Sequence, residues 1–360
     1  MASTITTSQF PEMEYRRLGN SGLFISAISL GGWVTLGGHV GDETTFEIMK
    51  QAYDLGINFF DTAESYSGGQ SEVVMGKAIK KFGWKRNDLV ISTKINFGAA
   101  FGNNVVNNHG LSRKHIVEGT KACLERLDLE YVDIIYAHRP DRLTPMEEVV
   151  RAFNYVIEKG LAFYWGTSMW NVEEITEACL IAKNLGLIAP VVEQPLYNVI
   201  EREKVDVEYA RLCPQYGIGL TVWSPLKQGI LTGKYNDALD KIPAGTRLAE
   251  AKDDYTKKLA AAFGGTEWVS TIEKVKKLTT IAEKLDCKLA QLALAWVLKN
   301  QNVTTCLTGA SSPKQVVDNV ASLKIVPKLT PEIMTEIEEL MENKPQLPQV
   351  RFGGQPVLRY

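Results

Sequence analysis

Short runs of β-branched and aromatic residues alternate along the chain with longer amphipathic stretches, beginning near residue 25. In the longer stretches apolar residues recur every three or four positions, which is typical of helices, whereas the short runs are typical of buried strands. Eight strands are predicted, at residues 25–31, 58–63, 89–95, 131–138, 162–168, 190–198, 218–225 and 304–311. Ser112 and Thr144 are predicted to cap helices, with Pro145 in the first helical position after Thr144.

The repeated strand–helix order favours a single (β/α)8 TIM barrel of the α/β class. A doubly wound open sheet is the alternative, but it usually has fewer strands and carries a GxGxxG motif after the first one. Here the first strand ends in LGGWVTLGG, which does not match that motif, so no Rossmann domain is predicted. We assign residues 15–344 to the barrel, residues 1–14 to a flexible N-terminal segment and residues 345–360 to an irregular C-terminal tail.

Two segments interrupt the alternation and predict long loops at the C-terminal face of the barrel. Residues 226–267 follow the seventh strand and are rich in Gly, Asp, Lys and Ala, and residues 96–110 follow the third strand without an acidic or strongly basic residue. Loops of this length in a compact domain are usually functional. The carboxyl ends of the strands are also where barrel enzymes carry their chemistry.

Composition narrows the class of protein without naming its function. Lys plus Arg number 40 and Asp plus Glu number 42, so the net charge is −2 and we predict no nucleic-acid partner. The longest apolar segment, near residues 289–298, is about half as long as a membrane span, and no membrane insertion is predicted. The five cysteines are scattered and the four histidines lack a metal-binding spacing, which indicates a cytoplasmic protein without a metal site.

Ionisable side chains lie where three consecutive predicted strands end. The second strand ends near Asp61, with Tyr66 in the following loop, the third contributes Lys94 and the fourth ends at His138. Taken singly, Asp61 could cap the barrel end and His138 could be a buried structural histidine. Lys94 is harder to explain, because a lysine inside a buried strand needs a counter-charge or a function.

Together these four side chains predict a proton-donating site. A tyrosine has an ordinary pKa of about 10, which is high for a general acid at neutral pH, and an ammonium group beside it lowers that pKa. An aspartate paired with the lysine fixes the amine, and the imidazole can orient a carbonyl oxygen next to the phenol. Such a site protonates a carbonyl oxygen while a hydride arrives at the carbon.

The last predicted strand is followed by TGASSPKQVVDN, which predicts a tight loop and then a helix capped by Ser312, with Pro313 at its first position. A helix N-terminus at this place in a barrel is suited to a phosphate group. Lys234 and Arg247, in the loop after the seventh strand, could reach the same anion. The alternative is that the segment merely caps a helix.

The motifs as a set resemble the aldo-keto reductases, in the branch that contains the voltage-gated potassium channel beta subunits and their microbial and plant relatives. The resemblance extends from about residue 15 to about residue 323. Its most specific motifs are NFFDTAESYSGGQSE, STKI, GLSRKHIVEG, DIIYAHRPD, WGTSMW, VEQPLYN, TVWSPLKQGILTGKY and TGASSPKQVVDN. Chance agreement across so many motifs in the same order is remote.

The resemblance implies a catalytic tetrad at Asp61, Tyr66, Lys94 and His138, with Tyr66 as the general acid. It also implies NADPH or NADP+ bound in an extended form, and a small-molecule carbonyl substrate. The implied cofactor contacts are Gly32, Trp33 and His39 near the nicotinamide, Ser168 and Gln194 at its carboxamide, Trp223 on its ring, Ser224, Pro225, Leu226, Gly229 and Lys234 along the pyrophosphate, and Arg247, Ser311, Gln315, Asp318 and Asn319 around the adenosine phosphate.

The resemblance implies that NADPH is preferred over NADH because Lys234, Arg247 and the Ser311 region contact the 2′-phosphate. Removing Arg247 is therefore predicted to weaken NADPH far more than NADH. Asp318 stands where the family has a longer acid near the adenine, a change that weakens a contact without abolishing binding.

The substrate pocket and the assembly are less closely defined. Candidates for the pocket lining are Trp33, Phe97, Phe101, Trp165 and Met169, which suggest an aromatic or apolar aldehyde, although aromatic residues are more often core packing. The family includes monomers, dimers, tetramers and larger rings. A homo-oligomer is predicted, with a tetramer or a larger ring among the alternatives, and the sequence does not define the number of subunits. The sequence does not name the physiological carbonyl.

Two hypotheses of function follow. The animal channel subunits carry asparagine where this chain has His138, so the histidine favours a working NADPH-dependent reductase of aldehydes and ketones. The alternative is a redox-sensing regulatory subunit, similar to a potassium channel beta subunit, that binds NADPH and turns over slowly. A lyase with a Schiff base on Lys94 explains neither Asp61 nor Tyr66.

Overall fold

Eight parallel strands close into a barrel in the computed structural model, which describes residues 3–33, 35–99, 106–238, 241–251 and 253–346. Neighbouring strands pair in chain order around the barrel, and Val303–Thr308 closes it by pairing with Ile28–Gly31. Helices cover the outside of these strands, so both faces of the sheet are buried. The predicted single (β/α)8 TIM barrel is confirmed.

The strands are short and mostly buried, as expected for a parallel sheet covered by helices. An N-terminal antiparallel sheet contains β1 (Thr4–Ile5), β2 (Tyr15–Arg17) and β3 (Phe24–Ser26). The barrel strands are β4 (Ile28–Gly31), β5 (Phe59–Asp61), β6 (Val90–Ile95), β7 (Val132–Ala137), β8 (Ala162–Ser168), β9 (Val192–Gln194), β10 (Gly219–Val222) and β11 (Val303–Thr308).

The helices bury their apolar faces against the outside of the barrel. They are α1 (Asp42–Asp54), α2 (Gln70–Phe82), α3 (Arg113–Leu127), α4 (Met146–Glu158), α5 (Val172–Asn184), α6 (Tyr209–Tyr216), α7 (Asp254–Ala261), α8 (Thr266–Lys284), α9 (Leu289–Leu298), α10 (Pro313–Val320) and α11 (Pro331–Met341). In the described part of the chain, no helix is long and apolar enough to cross a membrane.

The N-terminal sheet closes the barrel at the end where the strands begin. Leu18 and Ile25 are fully buried there and belong to the apolar core inside the barrel. The Arg16 guanidinium holds this sheet in place by donating hydrogen bonds to the carbonyl oxygens of Leu298 (3.0 Å) and Val303 (2.8 Å). The sequence assigned residues 1–14 to a flexible segment, whereas Thr4–Ile5 within it pairs with β2. The opposite, C-terminal face is left open for a ligand.

The helix starts follow the prediction only in part. Ser112 caps α3 by accepting a hydrogen bond from the His115 N–H (3.2 Å), as predicted. Helix α4 begins one residue later than predicted, because Pro145 takes the cap position and the Thr144 hydroxyl is bonded to Asp141 instead (2.7 Å). Ser312 occupies the cap position of α10, but its side chain makes no capping hydrogen bond.

Both predicted long loops leave the C-terminal face. The 226–267 segment contains a short helical turn (Lys227–Thr232) and α7, so it is partly ordered by its own secondary structure. Of the 96–110 loop, residues 100–105 lie outside the described part of the chain. The C-terminal tail is described only as far as residue 346.

Candidate active site

A buried ion pair joins two neighbouring strands at the C-terminal face. Lys94 Nζ, on β6, lies 2.5 Å from Asp61 Oδ2 at the end of β5, and it also donates to the Thr62 carbonyl oxygen (2.7 Å). The second Asp61 oxygen accepts hydrogen bonds from Ser92 Oγ (2.7 Å) and Gln194 Nε2 (3.2 Å). The Lys94 side chain is 0% exposed. The buried ammonium group therefore has the counter-charge that its position in a strand requires.

Tyr66 lies on the turn that follows β5, between this ion pair and His138. Its ring centroid is 4.8 Å from Lys94 Nζ and 5.7 Å from the centroid of the His138 ring. Burial raises the pKa of the Tyr66 phenol above its ordinary value, although Lys94 acts to lower it. Lys94 thus has the effect on the pKa that the sequence predicted, but the net shift is upward, because that prediction left out the desolvation of the phenol. The phenol is protonated at neutral pH, as a proton donor must be.

His138 follows β7 directly, and its backbone N–H donates to the Ile95 carbonyl oxygen (3.0 Å). Burial, together with the charge of Lys94, holds the pKa of the imidazole well below its ordinary range. The ring is therefore neutral at neutral pH, and its Nδ1 is buried without a hydrogen-bond partner among the described residues. The Phe97 ring meets it edge-on, with 5.0 Å between centroids. A neutral imidazole can donate one hydrogen bond to a carbonyl oxygen.

Asp61, Tyr66 and His138 line one large cavity at the C-terminal face, and Lys94 is buried next to them. The cavity has a volume of about 1190 Å³. Pockets for small ligands usually measure about 300–1,000 Å³, so this one leaves room for a long ligand together with a small substrate. Loops after most of the barrel strands contribute to its wall.

Aromatic rings form one part of the cavity wall around Trp33. The Trp33 ring centroid lies 6.5 Å from that of Tyr66, 5.8 Å from that of Trp223 and 6.3 Å from that of Tyr255. The guanidinium carbon of Arg247 lies 4.6 Å from the Trp33 ring centroid. Nε and Nη2 of Arg247 are buried and have no hydrogen-bond partner within the described part of the chain. This arrangement is suited to a ligand that combines a planar ring with anionic groups.

Residues 27–342 match the model of the Aldo/keto reductase family. The chain belongs to the aldo/keto reductase family. It is 51% identical over 346 residues to a Schizosaccharomyces pombe protein named "Putative voltage-gated potassium channel subunit beta", and the match covers 96% of this chain and 98% of that protein. Two proteins named "Probable voltage-gated potassium channel subunit beta" are also similar. The Arabidopsis thaliana protein is 48% identical, over 94% of this chain and 99% of its own length, and the Oryza sativa subsp. japonica protein is 47% identical, over 93% and 98%. The resemblance predicted from the motifs is confirmed.

In this aldo/keto reductase, the residues predicted for the nicotinamide carboxamide lie side by side. Ser168, at the end of β8, donates from Oγ to the Gln194 carbonyl oxygen at the end of β9 (2.9 Å), and both residues line the cavity. Trp223, just after β10, also lines the cavity, and its Nε1 is buried without a partner among the described residues. Their predicted contacts with a cofactor stay predictions.

The loop after β10 follows the cavity with an unusual backbone. The φ angle is positive at Ser224 (53°), Lys227 (45°), Gln228 (54°) and Gly229 (93°). A Cβ on Gly229 would lie 3.1 Å from Lys234 Cε, so the missing side chain lets Lys234 approach this turn closely. Burial lowers the pKa of the Lys234 ammonium group. All five residues predicted for the pyrophosphate line the cavity, namely Ser224, Pro225, Leu226, Gly229 and Lys234.

Another part of the cavity wall is formed by α10 and the loop before it. Its predicted residues Ser311, Gln315, Asp318 and Asn319 all line the cavity. The N–H and Oγ of Ser311 donate to Gln315 Oε1 (2.8 and 3.2 Å). Both oxygens of Asp318 accept from Lys288 Nζ at 2.7 Å.

Two residues predicted for the substrate pocket do not line the cavity. Trp165 faces the helices, where its ring stacks on Phe153 (5.0 Å between centroids) and its Nε1 donates to the Ile188 carbonyl oxygen (2.8 Å). Alternation along β8 explains this, because Ser168 faces the barrel interior and Trp165 is an odd number of residues away. Met169 lines a separate cavity, and its sulfur accepts from the Leu196 N–H (3.3 Å).

Other predicted residues have mixed outcomes. Trp33 and Phe97 do line the cavity. Gly32 does not line the cavity. A Cβ at this position would lie 2.5 Å from Ser71 Oγ, so the glycine allows close packing against α2. Phe101 and the side chain of His39 lie outside the described residues, so both stay predictions.

The sequence reasoning missed Arg139, which lines the cavity immediately after His138. Its signal was available, because a search for polar residues at strand ends needed only one further position. Asp253, Tyr255 and Lys288 also line the cavity. They come from the long connection between β10 and β11, where the sequence gives no indication of which side chains turn inward.

Proposed function

We propose that this protein is an NADPH-dependent oxidoreductase that reduces aldehydes or ketones to alcohols, with Tyr66 as the general acid. The observation that carries the proposal is the convergence of Asp61, Lys94, Tyr66 and His138 at one large cavity of an aldo/keto reductase chain. A phenol that holds its proton, next to a neutral imidazole, is suited to an oxygen that gains negative charge during the reaction.

Each member of the tetrad has its own role in the proposed reaction. Asp61 pairs with Lys94 and fixes the ammonium group near the Tyr66 ring. The His138 imidazole, neutral because its pKa is lowered, donates a hydrogen bond to the carbonyl oxygen and orients it. Tyr66, whose pKa is raised by burial, keeps its proton until negative charge develops on that oxygen and then transfers it. Lys94 stabilises the phenolate that remains.

Unsatisfied polar atoms in the cavity support a dinucleotide phosphate as the cofactor. Nε and Nη2 of Arg247, Nε1 of Trp223, Oε1 of Gln228 and Oδ1 of Asn236 are buried without partners among the described residues, and all four residues line the cavity. Buried polar atoms are normally hydrogen-bonded, so a ligand is expected to provide their partners. When bound, NADPH would supply the hydride that reaches the carbonyl carbon.

The residues assigned to NADPH or NADP+ divide the cavity into three parts. Burial lowers the pKa values of Lys234 and Arg247, although Asp253 partly opposes the effect at Arg247. Neither cation forms an ion pair within the described part of the chain, so phosphate groups would provide a direct counter-charge. Ser168, Gln194, Trp33 and Trp223 would hold the nicotinamide, Ser224, Pro225, Leu226, Gly229 and Lys234 the pyrophosphate, and Ser311, Gln315, Asp318 and Asn319 the adenosine phosphate. Arg247, which the sequence assigned to the adenosine phosphate, packs on Trp33 and would contact a part of the cofactor that NADPH and NADH share.

Replacement of Tyr66 by Phe tests the proposal. Wild type is expected to consume NADPH in the presence of an aromatic aldehyde, and Tyr66→Phe is expected to lose about 100- to 10,000-fold in kcat. The affinity for NADPH should change little, because the phenol oxygen is assigned to the substrate. Absorbance in the reduced-nicotinamide band measures turnover, and a fluorescence titration measures NADPH binding. Should both fall together, Tyr66 is structural and the tetrad assignment is wrong.

The names of the relatives favour a second function, that of a redox-sensing regulatory subunit. Such a subunit would bind NADPH tightly, turn over slowly and assemble in fourfold symmetry with a membrane channel. Saturable NADPH binding without aldehyde reduction in wild type would support it, and rapid turnover would argue against it. Absence of NADPH binding would reject both functions. Under either function we propose a cytoplasmic homo-oligomer, whose number of subunits light scattering would measure.

A further inference from the structure

Arg139 is a cation in the cavity wall, next to the proposed site of carbonyl reduction. It follows His138 in the chain, and its Nη1 donates to the His138 carbonyl oxygen (2.5 Å) and to Ser168 Oγ (3.2 Å). Both acceptors are neutral. Tyr66, His138 and Ser168 line the same cavity as Arg139, so the guanidinium group borders the space where a substrate would lie.

Within the described part of the chain, Arg139 forms no ion pair, and the carboxylates of Asp61, Glu193 and Asp141 are engaged with other partners. Asp61 is bonded to Lys94, as described above. Glu193 lies on the outer face of β9, where it accepts hydrogen bonds from the hydroxyls of Thr167 and Tyr209. Asp141 accepts from the Leu111 N–H and from other donors of its own loop.

A partly buried guanidinium group without an ion-pair partner is costly, because the more distant charge of Glu193 offsets its desolvation only in part. Burial accordingly lowers the pKa of Arg139. An anionic group entering the cavity would remove this cost and could accept a bidentate pair of hydrogen bonds from the guanidinium. Phe97 is 42% exposed, contacts the His138 ring edge-on and lines the same cavity as Arg139, so it provides an apolar surface there.

We propose that Arg139 binds a carboxylate group of the carbonyl substrate, so that the preferred substrates are aldehydes or ketones that combine an apolar body with a carboxylate. This inference rests on the proposed carbonyl reductase function and adds the substrate class to it. The competing role for Arg139 is stabilisation of the Tyr66 phenolate, which would act on charged and neutral carbonyls alike.

The test compares para-carboxybenzaldehyde with its methyl ester, which has the same ring and aldehyde without the charge. Wild type is expected to show a higher kcat/KM for the acid than for the ester. In Arg139→Gln the ratio of the two kcat/KM values is expected to fall about 10- to 100-fold, the range for loss of a charge-assisted hydrogen-bond pair. Arg139→Lys should retain part of the preference for the acid over the ester, because lysine keeps the charge but lacks the planar pair of donors.

Arg142→Gln is the matched control. Arg142 lies in the same loop, but its side chain is 85% exposed and its closest acidic partner is Glu174, 3.8 Å away. The substitution removes the same charge outside the cavity and should leave the ratio unchanged. Thermal melts of all three variants show whether each one is folded.

A binding measurement separates this inference from the reductase function itself. Benzoate is titrated against the protein with NADP+ present, and tryptophan fluorescence, to which Trp33 and Trp223 in the cavity wall contribute, is measured. Benzoate should bind wild type and Arg142→Gln equally, and Arg139→Gln about 10-fold or more weakly. If wild type reduces neither aldehyde, the reductase proposal fails while the benzoate result still decides the carboxylate site. Equal losses for acid and ester, with unchanged benzoate affinity, overturn the inference.

Discussion

At the scale of single residues, charge and burial decide what each side chain can do. Lys94 is fully buried, and removing a lysine from water costs several kcal/mol unless a counter-charge is present, so its place in a strand was enough to predict a partner such as Asp61. The pKa of Tyr66 was not predictable in the same way. Lys94 lowers it and burial raises it, and only the structure gives the extent of burial.

Arg247 is the residue whose expected role changes most with the structure. The sequence placed it at the 2′-phosphate, but its guanidinium group packs on Trp33, whose ring is 6.5 Å from the Tyr66 ring between centroids. We therefore expect Arg247→Ala to weaken NADPH and NADH by similar factors, about 10-fold each, because the contact is with a part that both share. Fluorescence titrations with the two dinucleotides measure this.

Lys234→Ala serves for comparison, because Lys234 is another cation of the same loop that lines the cavity. If Arg247→Ala loses affinity for NADPH alone and binds NADH as tightly as wild type does, the expectation is contradicted. Arg247 would then belong at the 2′-phosphate, as the sequence predicted.

At the scale of elements, Glu64 joins three parts of the chain beneath the cavity. Its Oε1 accepts hydrogen bonds from the N–H groups of Asn96 (2.7 Å) and Gly98 (2.8 Å) and lies 3.2 Å from His115 Nε2 on α3. Asn96 and Gly98 flank Phe97, the aromatic residue next to His138. Glu64 itself lies on the loop between Asp61 and Tyr66, so it connects the tetrad loop to the pocket wall.

Glu64→Gln is expected to raise KM for an aromatic aldehyde about 5- to 20-fold while changing kcat and NADPH affinity less, because the neutral amide holds the Phe97 backbone more weakly. Steady-state kinetics over a series of aldehydes measures the change. In a Phe97→Ala background the same substitution should have little further effect on KM, since the group that Glu64 positions is then absent.

Asp133→Asn is the matched control for Glu64. Asp133 is also a buried carboxylate, accepting from the Ile91 N–H (2.7 Å) and from Arg86 Nη2 (2.6 Å), but it lies at the start of β7, away from the cavity. Asp133→Asn should lower the thermal stability of the protein without raising KM for the aromatic aldehyde. A KM increase of the same size in Asp133→Asn would mean that Glu64 acts only through stability.

At the scale of the whole molecule, Glu193 links pH to the stability of the fold. Burial raises the pKa of Glu193 from 4.5 to about 7, so the folded state keeps a proton that the unfolded chain releases at lower pH. The resulting stability is fully present below pH 4.5 and is lost as the pH rises through about 7. The loss amounts to about 3 kcal/mol over that range, at 1.36 kcal/mol per pKa unit.

Glu193→Gln removes this titration, although it also perturbs the bonds to Thr167 and Tyr209 and lowers stability at every pH. The expected result is a difference in melting temperature between wild type and variant that is largest at pH 5 and shrinks toward pH 8. Other groups that titrate in this pH range, such as His138, are present in both proteins, so their effects on the melting temperature cancel in this difference. Glu125→Gln, at an exposed position on α3, is the control, and a pH-independent difference for Glu193→Gln would contradict the prediction.

The sequence by itself determined the barrel and the meeting of four ionisable side chains at its C-terminal face. Eight alternations of apolar runs and amphipathic stretches leave few architectures, and in a parallel barrel every strand end lies on the same face. Residues such as Asp61, Lys94 and His138 are therefore brought together by their distance from strand ends alone, which is a local property. The alternation of inward and outward side chains along β8 also predicts that Trp165 faces the helices, although its aromatic side chain had suggested a place in the substrate pocket.

Only the tertiary structure decided the contacts that depend on loops and on burial. The guanidinium of Arg247 packs on Trp33, Met169 lies in a second cavity, and Arg139 has no carboxylate partner in the described part of the chain. Each of these outcomes depends on how segments far apart in sequence pack against one another. Propensity and periodicity describe one segment at a time, whereas desolvation and side-chain pairing are sums over all the neighbours that the closed barrel brings together.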